Sequence, residues 1–108
     1  MVGDVQGCNC VLVDDLCTTA GTLSAAAGIL KKNGAADIYA AVTHALVTPL
    51  GVERLRAAPI KEFVATDTVP LRSDTTALPM KVLSVAGLLG EAILRIHDNQ
   101  SVSSLFKI

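Results

Sequence analysis

The chain has 108 residues, 51% hydrophobic and only 3% aromatic, with a formal net charge of −1. That is enough for one small domain burying roughly 60–70% of its unfolded surface, too apolar for disorder, too near neutral to suggest nucleic acid, and without an apolar run of the ~20 residues that cross a membrane. The opening Met1-Val2-Gly3-Asp4 lacks a secretory signal, and the odd set Cys8, Cys10 and Cys17 offers no disulfide framework, so reduced thiols in a cytoplasmic setting are expected.

Gly3 to Gly7 is a polar lead into the first strand, Cys10 to Val13, whose apolar residues predict a buried parallel strand. Cys8-Asn9-Cys10 puts two thiols on one side of extended chain, but His44 and His97 are distant in sequence, so no metal site is expected. A helix is predicted from about Gly21 to Asn33: Leu23, Ala26, Ala27 and Leu30 recur on one face, Lys31 and Lys32 suit its C-terminal end, and Asn33-Gly34 stops it. Ile38 to Thr43 is an unbroken apolar run, which predicts a central strand buried on both faces. His44 at its end is either a hydrogen-bonded structural residue or part of a site at the sheet's C-terminal edge.

Ala45 to Pro49 reads as a loop, Leu50 to Ala57 as a short helix, and Phe63 to Thr66 as the third strand. Leu71 to Pro79 is polar and aperiodic, a surface crossing. Lys81 to Val85 is the fourth strand. Ser84 is placed to cap a last helix with the stripe Leu88, Leu89, Ala92, Ile93 and Ile96, ended by Asp98-Asn99. Ser101 to Phe106 is a short final segment. Strands alternating with helices predict an α/β fold of three layers around a mainly parallel sheet.

The chemistry concentrates between Val11 and Leu23. Two carboxylates, Asp14 and Asp15, are expected where the first strand ends, followed by Thr18, Thr19, Gly21 and Thr22 at a helix start. Amides at a helix start cradle a phosphate, and Gly21 is expected to give the close approach and the unusual turn. The carboxylates suit sugar hydroxyls, or magnesium reached through water. No Walker A lysine and no three-glycine dinucleotide spacing is present. An ordinary strand-to-helix turn with an Asp and Thr cap is the plainer alternative. The helix start could lower the pKa of Cys17, to which no chemistry is assigned.

Apolar strand, Asp-Asp, three residues, Thr, one residue, Gly-Thr resembles the ribose-5-phosphate loop shared by phosphoribosyltransferases and phosphoribosyl pyrophosphate synthetases. Three further segments resemble the synthetase family: 41–44 (AVTH), 64–70 (VATDTVP) and 93–106 (ILRIHDNQSVSSLF), the last being the most specific. The resemblance implies a phosphoribosyltransferase-like fold and, across residues 1–108, the C-terminal ribose-5-phosphate-binding domain, with the N-terminal ATP-binding domain absent. It implies transfer of the diphosphate of ATP to ribose 5-phosphate, assisted by Mg2+, for nucleotide biosynthesis. Asp14 and Asp15 would hold the ribose hydroxyls, and Thr18, Thr19, Ala20, Gly21 and Thr22 would surround the 5-phosphate. Many relatives carry Asp where Thr18 stands.

The resemblance also implies homo-oligomers, hexamers built on dimers, with Ser101, Ser103 and Phe106 in a regulatory phosphate or ADP site between subunits. A tail pinned to the core by Leu105 and Phe106 is the simpler alternative. On this resemblance the flexible basic loop of the family is expected to be missing, and Lys31, Lys32, Arg54 and Arg56 are expected on helices outside the site. The chain alone is therefore expected to be inactive. The other readings are a non-catalytic regulatory subunit of a synthetase and a phosphoribosyltransferase fragment, although the base-recognising hood of the latter is lacking.

Overall fold

Strands of four to eight residues and helices of nine to twelve give the element order β1 (Cys10–Cys17), α1 (Gly21–Lys32), β2 (Ile38–Ala45), α2 (Pro49–Ala57), β3 (Glu62–Thr66), β4 (Met80–Leu83) and α3 (Ala86–His97), then a 3-10 turn at Ser103–Phe106. This is a computed structural model, and it describes residues 1–72, 75 and 78–106. Part of the expected crossing from Leu71 to Pro79 lies outside the described residues.

The four strands form one parallel sheet in the order β1-β2-β3-β4. The register aligns Leu12 with Ala40, Ala40 with Phe63, and Phe63 with Met80. Side chains alternate between the faces of a sheet, so this row faces one side. There it meets Leu23 of α1 and Val52 and Leu55 of α2 in a single core. Right-handed crossovers between successive parallel strands bring both helices to that side. With few aromatics, the core is aliphatic and small: Phe63, Ile38 and Val47 are its largest fully buried residues, and Ala27, Ala40 and Ala65 are sealed between helix and strand.

The caps follow the sequence. α1 ends at Asn33, whose side-chain amide donates to the Ile29 carbonyl at 2.8 Å, and Gly34 follows at φ 91, the left-handed conformation glycine takes easily. Thr48 caps α2 by accepting from the Gly51 amide at 3.1 Å, with Pro49 as first helical residue, one position earlier than expected. Ser84 does bond the start of α3, accepting from the Ala86 amide at 3.1 Å, but as the residue before the cap position, which Val85 holds. Asp67 Oδ1 accepts from the Val85 amide at 2.8 Å.

The α/β class and the parallel sheet are as the sequence predicts, and β2 is central. The third layer is not filled among the described residues. Val11 and Val13, expected to be buried, are 63% and 79% exposed, because β1 is an edge strand and helices cover only the other face. β2 is likewise sealed on one side only: Ile38, Ala40 and Val42 are buried, Tyr39 and Ala41 half-buried. α3 keeps its apolar stripe but contributes no buried residue, and Ile93 is 68% exposed. The radius of gyration is accordingly 16.4 Å, against about 13 Å for a compact domain of this length.

Candidate functional site: the strand-to-helix loop after β1

The loop from Cys17 to Thr22 sits at the C-terminal edge of the sheet, where open α/β sheets bind ligands. It surrounds a hollow of about 80 Å3 lined by Asp14, Leu16, Cys17, Thr18, Thr19, Ala20, Gly21, Thr22 and Leu23. All five residues expected to hold a phosphate are thus brought together, with Asp14 beside them. Asp15 is exposed and is not in that lining. The two carboxylates do not stand at the strand's end as expected. They lie inside β1, which runs on to Cys17 because Leu16 and Cys17 stay paired with His44 and Ala45. Asp14 Oδ1 accepts from the Asp15 amide at 2.8 Å.

The loop's carbonyls explain its polarity. Cys17 O accepts from Leu46 N at 3.0 Å, Thr18 O from Thr48 N at 3.0 Å, and Thr19 O from the Arg54 guanidinium at 3.2 Å. In a trans peptide the N–H points opposite to its C=O. Drawing these carbonyls to α2 and the segment before it therefore turns the amides of Thr18 and Thr19 the other way. Ser24 N bonds back to Ala20 O, so the amides of Gly21, Thr22 and Leu23 precede the first intrahelical bond of α1. The first turn of α1 carries no acidic residue, leaving this amide edge suited to an anion.

Three expectations change here. The left-handed residue is Ala20, at φ 60, not Gly21. What Gly21 supplies is room: a Cβ there would sit 3.2 Å from Arg54 Nη1. Arg54, expected outside the site, reaches the loop from the last turn of α2. The Cys17 thiol is pushed up, not down: its burial outweighs the Ala20 amide, and the Asp14 carboxylate adds to the rise. Two contributors were missed in the sequence. A Cβ on Gly51 would come within 2.4 Å of Thr18 O, so only glycine lets α2 approach the loop. Thr48 braces the same carbonyl. Both act across some thirty residues, beyond any local motif; the Thr48-Pro49 helix start was the one available signal.

His44 is a hydrogen-bonded residue. Its Nδ1 is 2.7 Å from Thr68 Oγ1. Thr43 O already accepts the hydroxyls of Thr66 at 2.6 Å and Thr68 at 3.1 Å, which assigns the donor in the remaining contact to His44 Nδ1–H. Ser101 Oγ and Ser103 Oγ bond each other at 2.8 Å, and the Ser103 amide donates to Ser101 Oγ at 3.2 Å. The tail is pinned by Arg95, which donates to Ser101 O at 3.3 Å and to Ser104 Oγ while pairing with Glu91 at 2.9 Å. Phe106 is 74% exposed, so it does not anchor the tail to the core. Among the described residues no three His, Cys, Asp or Glu side chains gather to hold a metal ion, and no helix is long and apolar enough to cross a membrane.

A parallel α/β sheet carrying a strand-to-helix loop at its C-terminal edge, with a carboxylate at the rim, defines an α/β domain with the layout in which open sheets take ligands. The chain belongs to the phosphoribosyl synthetase-associated domain family, whose model matches residues 1–107. It is 52% identical over 106 residues to a ribose-phosphate pyrophosphokinase of Caldanaerobacter subterraneus subsp. tengcongensis, covering 98% of this chain and 34% of the relative. It is 46% identical to that of Synechococcus elongatus, covering 99% of this chain and 33% of the relative. The crystal structure of phosphoribosylpyrophosphate synthetase from Mycobacterium smegmatis superposes with a TM-score of 0.87 at 36% identity, over 91% of this chain and 33% of that one. The chain spans about a third of the length of the curated relatives it matches.

Proposed function

We propose that this chain is the ribose-5-phosphate-binding, C-terminal domain of a ribose-phosphate pyrophosphokinase. The observation that carries the proposal is the hollow at Thr18–Thr22, whose carbonyls are held on one side and whose amides are left to the other. A phosphate dianion there would accept from the amides of α1's first turn and from the threonine hydroxyls. Asp14 stands at the rim, where a carboxylate would repel the phosphate but accept hydrogen bonds from ribose hydroxyls. Asp15, exposed beside it, is the second such acceptor. The loop thus orients the sugar by its two chemically different ends, and catalysis by orientation is what phosphoryl transfer chiefly requires.

Among the described residues there is no magnesium cage. Mg2+ is usually held by one or two carboxylates together with substrate phosphates, so Asp14 and Asp15 would meet it through water at most. ATP as co-substrate, a homo-oligomeric parent and a cytoplasmic location belong to the same proposal; the similarity to the curated relatives and the free thiols of Cys8, Cys10 and Cys17 support it. Ser101, Ser103 and Phe106 are proposed to take part in a regulatory anion site completed by another subunit.

The test is titration of the chain with ribose 5-phosphate, followed by amide NMR. Resonances of Thr18 to Thr22 should move first, and Gly21→Val should abolish the response. Shifts spread evenly over the surface, or none near Gly21, would refute the reading.

A further inference from the structure

Three consecutive carbonyls ahead of α1 are held by the segment that leads from β2 into α2 and by α2 itself, and the third holder is a cation. Arg54 Nη1 donates to Thr19 O at 3.2 Å. The same nitrogen would lie 3.2 Å from a Cβ on Gly21, so the guanidinium rests against the first turn of α1. The peptide it holds is one with a reason to turn over: Ala20 sits at φ 60, a conformation that non-glycine residues adopt at a cost. A flipped Thr19–Ala20 peptide would present a carbonyl oxygen in place of an N–H. Arg54 holds that peptide by its oxygen.

We propose that Arg54 is a positioning residue for the anion loop, keeping the Thr19 carbonyl withdrawn and lending positive charge that favours a sugar phosphate in its dianionic form. The inference rests on the sugar-phosphate reading above. Arg56 shares the last turn of α2, and among the described residues it makes no hydrogen bond to the loop. It is therefore the control for effects of charge on α2 itself.

The experiment titrates the chain with ribose 5-phosphate at pH 7.5 and pH 5, on either side of the phosphate's second pKa of about 6, for the wild type, Arg54→Gln, Arg54→Lys and Arg56→Gln. Arg54→Gln should weaken binding about tenfold at pH 7.5, the order expected of one exposed charge acting on a dianion, and clearly less at pH 5. Arg54→Lys should restore affinity to within about threefold, and Arg56→Gln should match the wild type. Equal binding by Arg54→Gln at pH 7.5, an equal loss at both pH values, or an equal loss in Arg56→Gln overturns the proposal. If Arg54→Gln does not fold, Arg54→Lys decides: affinity near wild type with the pH dependence kept supports it, and a uniform tenfold loss overturns it. If the wild type binds no sugar phosphate, the sugar-phosphate reading fails instead. The ligand-free spectra then judge the pinning: displaced Ala20 and Gly21 amides in Arg54→Gln support it, and unmoved ones overturn it.

Discussion

Gly51→Ala is the sharpest perturbation of the scaffold behind the loop. An added Cβ would stand 2.4 Å from Thr18 O and 2.9 Å from Val47 Cγ1. The first of these is backbone, itself fixed by the Thr48 amide at 3.0 Å, and Val47 is among the largest fully buried residues. Neither can swing aside as the end of a surface side chain would, so α2 must lift away from the loop. Overpacking of this kind costs about 1–3 kcal/mol, and a backbone collision belongs at the upper end. The helix-propensity gain of Ala over Gly returns only about 0.5–1 kcal/mol. A net loss of about 2 kcal/mol should lower the melting temperature by roughly 8–10 °C for a domain this small. Gly28 is the internal control, exposed within α1 with nothing near the site of a new Cβ. Gly28→Ala should be neutral or raise the melting temperature by a few degrees. Both variants are compared by thermal unfolding followed by circular dichroism, and by ribose 5-phosphate titration. If Gly51→Ala melts with the wild type and binds equally, α2 does not support the loop as argued.

Other outcomes are open to direct measurement. The Val85 amide, and then the Ser84 hydroxyl, hold the Asp67 carboxyl below the usual carboxylate range; a depressed folded-state pKa means stability present above the unfolded value and lost as pH falls through the folded one. Asp67→Asn should therefore lower stability at pH 7, with the gap to the wild type closing below about pH 4 in acid titrations of unfolding; a gap unchanged at pH 3 would contradict this. The open faces of the sheet and of α3 should drive self-association, visible by light scattering as a mass rising with concentration, and a strict monomer at high concentration would count against it. A coupled assay of the chain alone with ATP, magnesium and ribose 5-phosphate should stay at background; turnover removed by Asp15→Asn would refute the proposed need for a second domain. In a full-length relative, alanines at the positions of Ser101 and Ser103 should alter ADP inhibition or phosphate activation. Unchanged responses in an intact oligomer would reduce the tail to a structural role.

What was legible in the sequence was whatever depends on near neighbours. The apolar runs, the Asn33-Gly34 stop and the stripe of Leu23, Ala26, Ala27 and Leu30 all act within a few residues, and each recurs in the structure, as does the helix start at Gly21-Thr22. What was not legible depends on contacts across the chain. Pairing with His44 and Ala45 carries β1 through the carboxylates to Cys17. The hydrogen bond from Arg54 spans 35 residues. The strained residue of the loop is an alanine, so composition pointed at the wrong position, Gly21, one place further on. The exposure of Val11 and Val13 has a different cause: an apolar run predicts burial on both faces, but among the described residues only one face of the sheet is covered.

That mismatch bears on the function. A parallel strand that is apolar throughout is written for two covers. Here the row Leu12, Ala40, Phe63 packs under α1 and α2, while Val13, Ala41 and Val64, aligned on the opposite side, do not. α3 repeats the pattern, apolar along a stripe that meets no core. The anion loop, by contrast, needs nothing from either bare face: its carbonyls are held by Leu46, Thr48 and Arg54, and its helix is buried through Leu23 and Ala27. Sugar-phosphate binding should therefore survive in this chain by itself, while any step that depends on groups brought by a covering partner should not. The two measurements, titration and turnover, are expected to separate along that line.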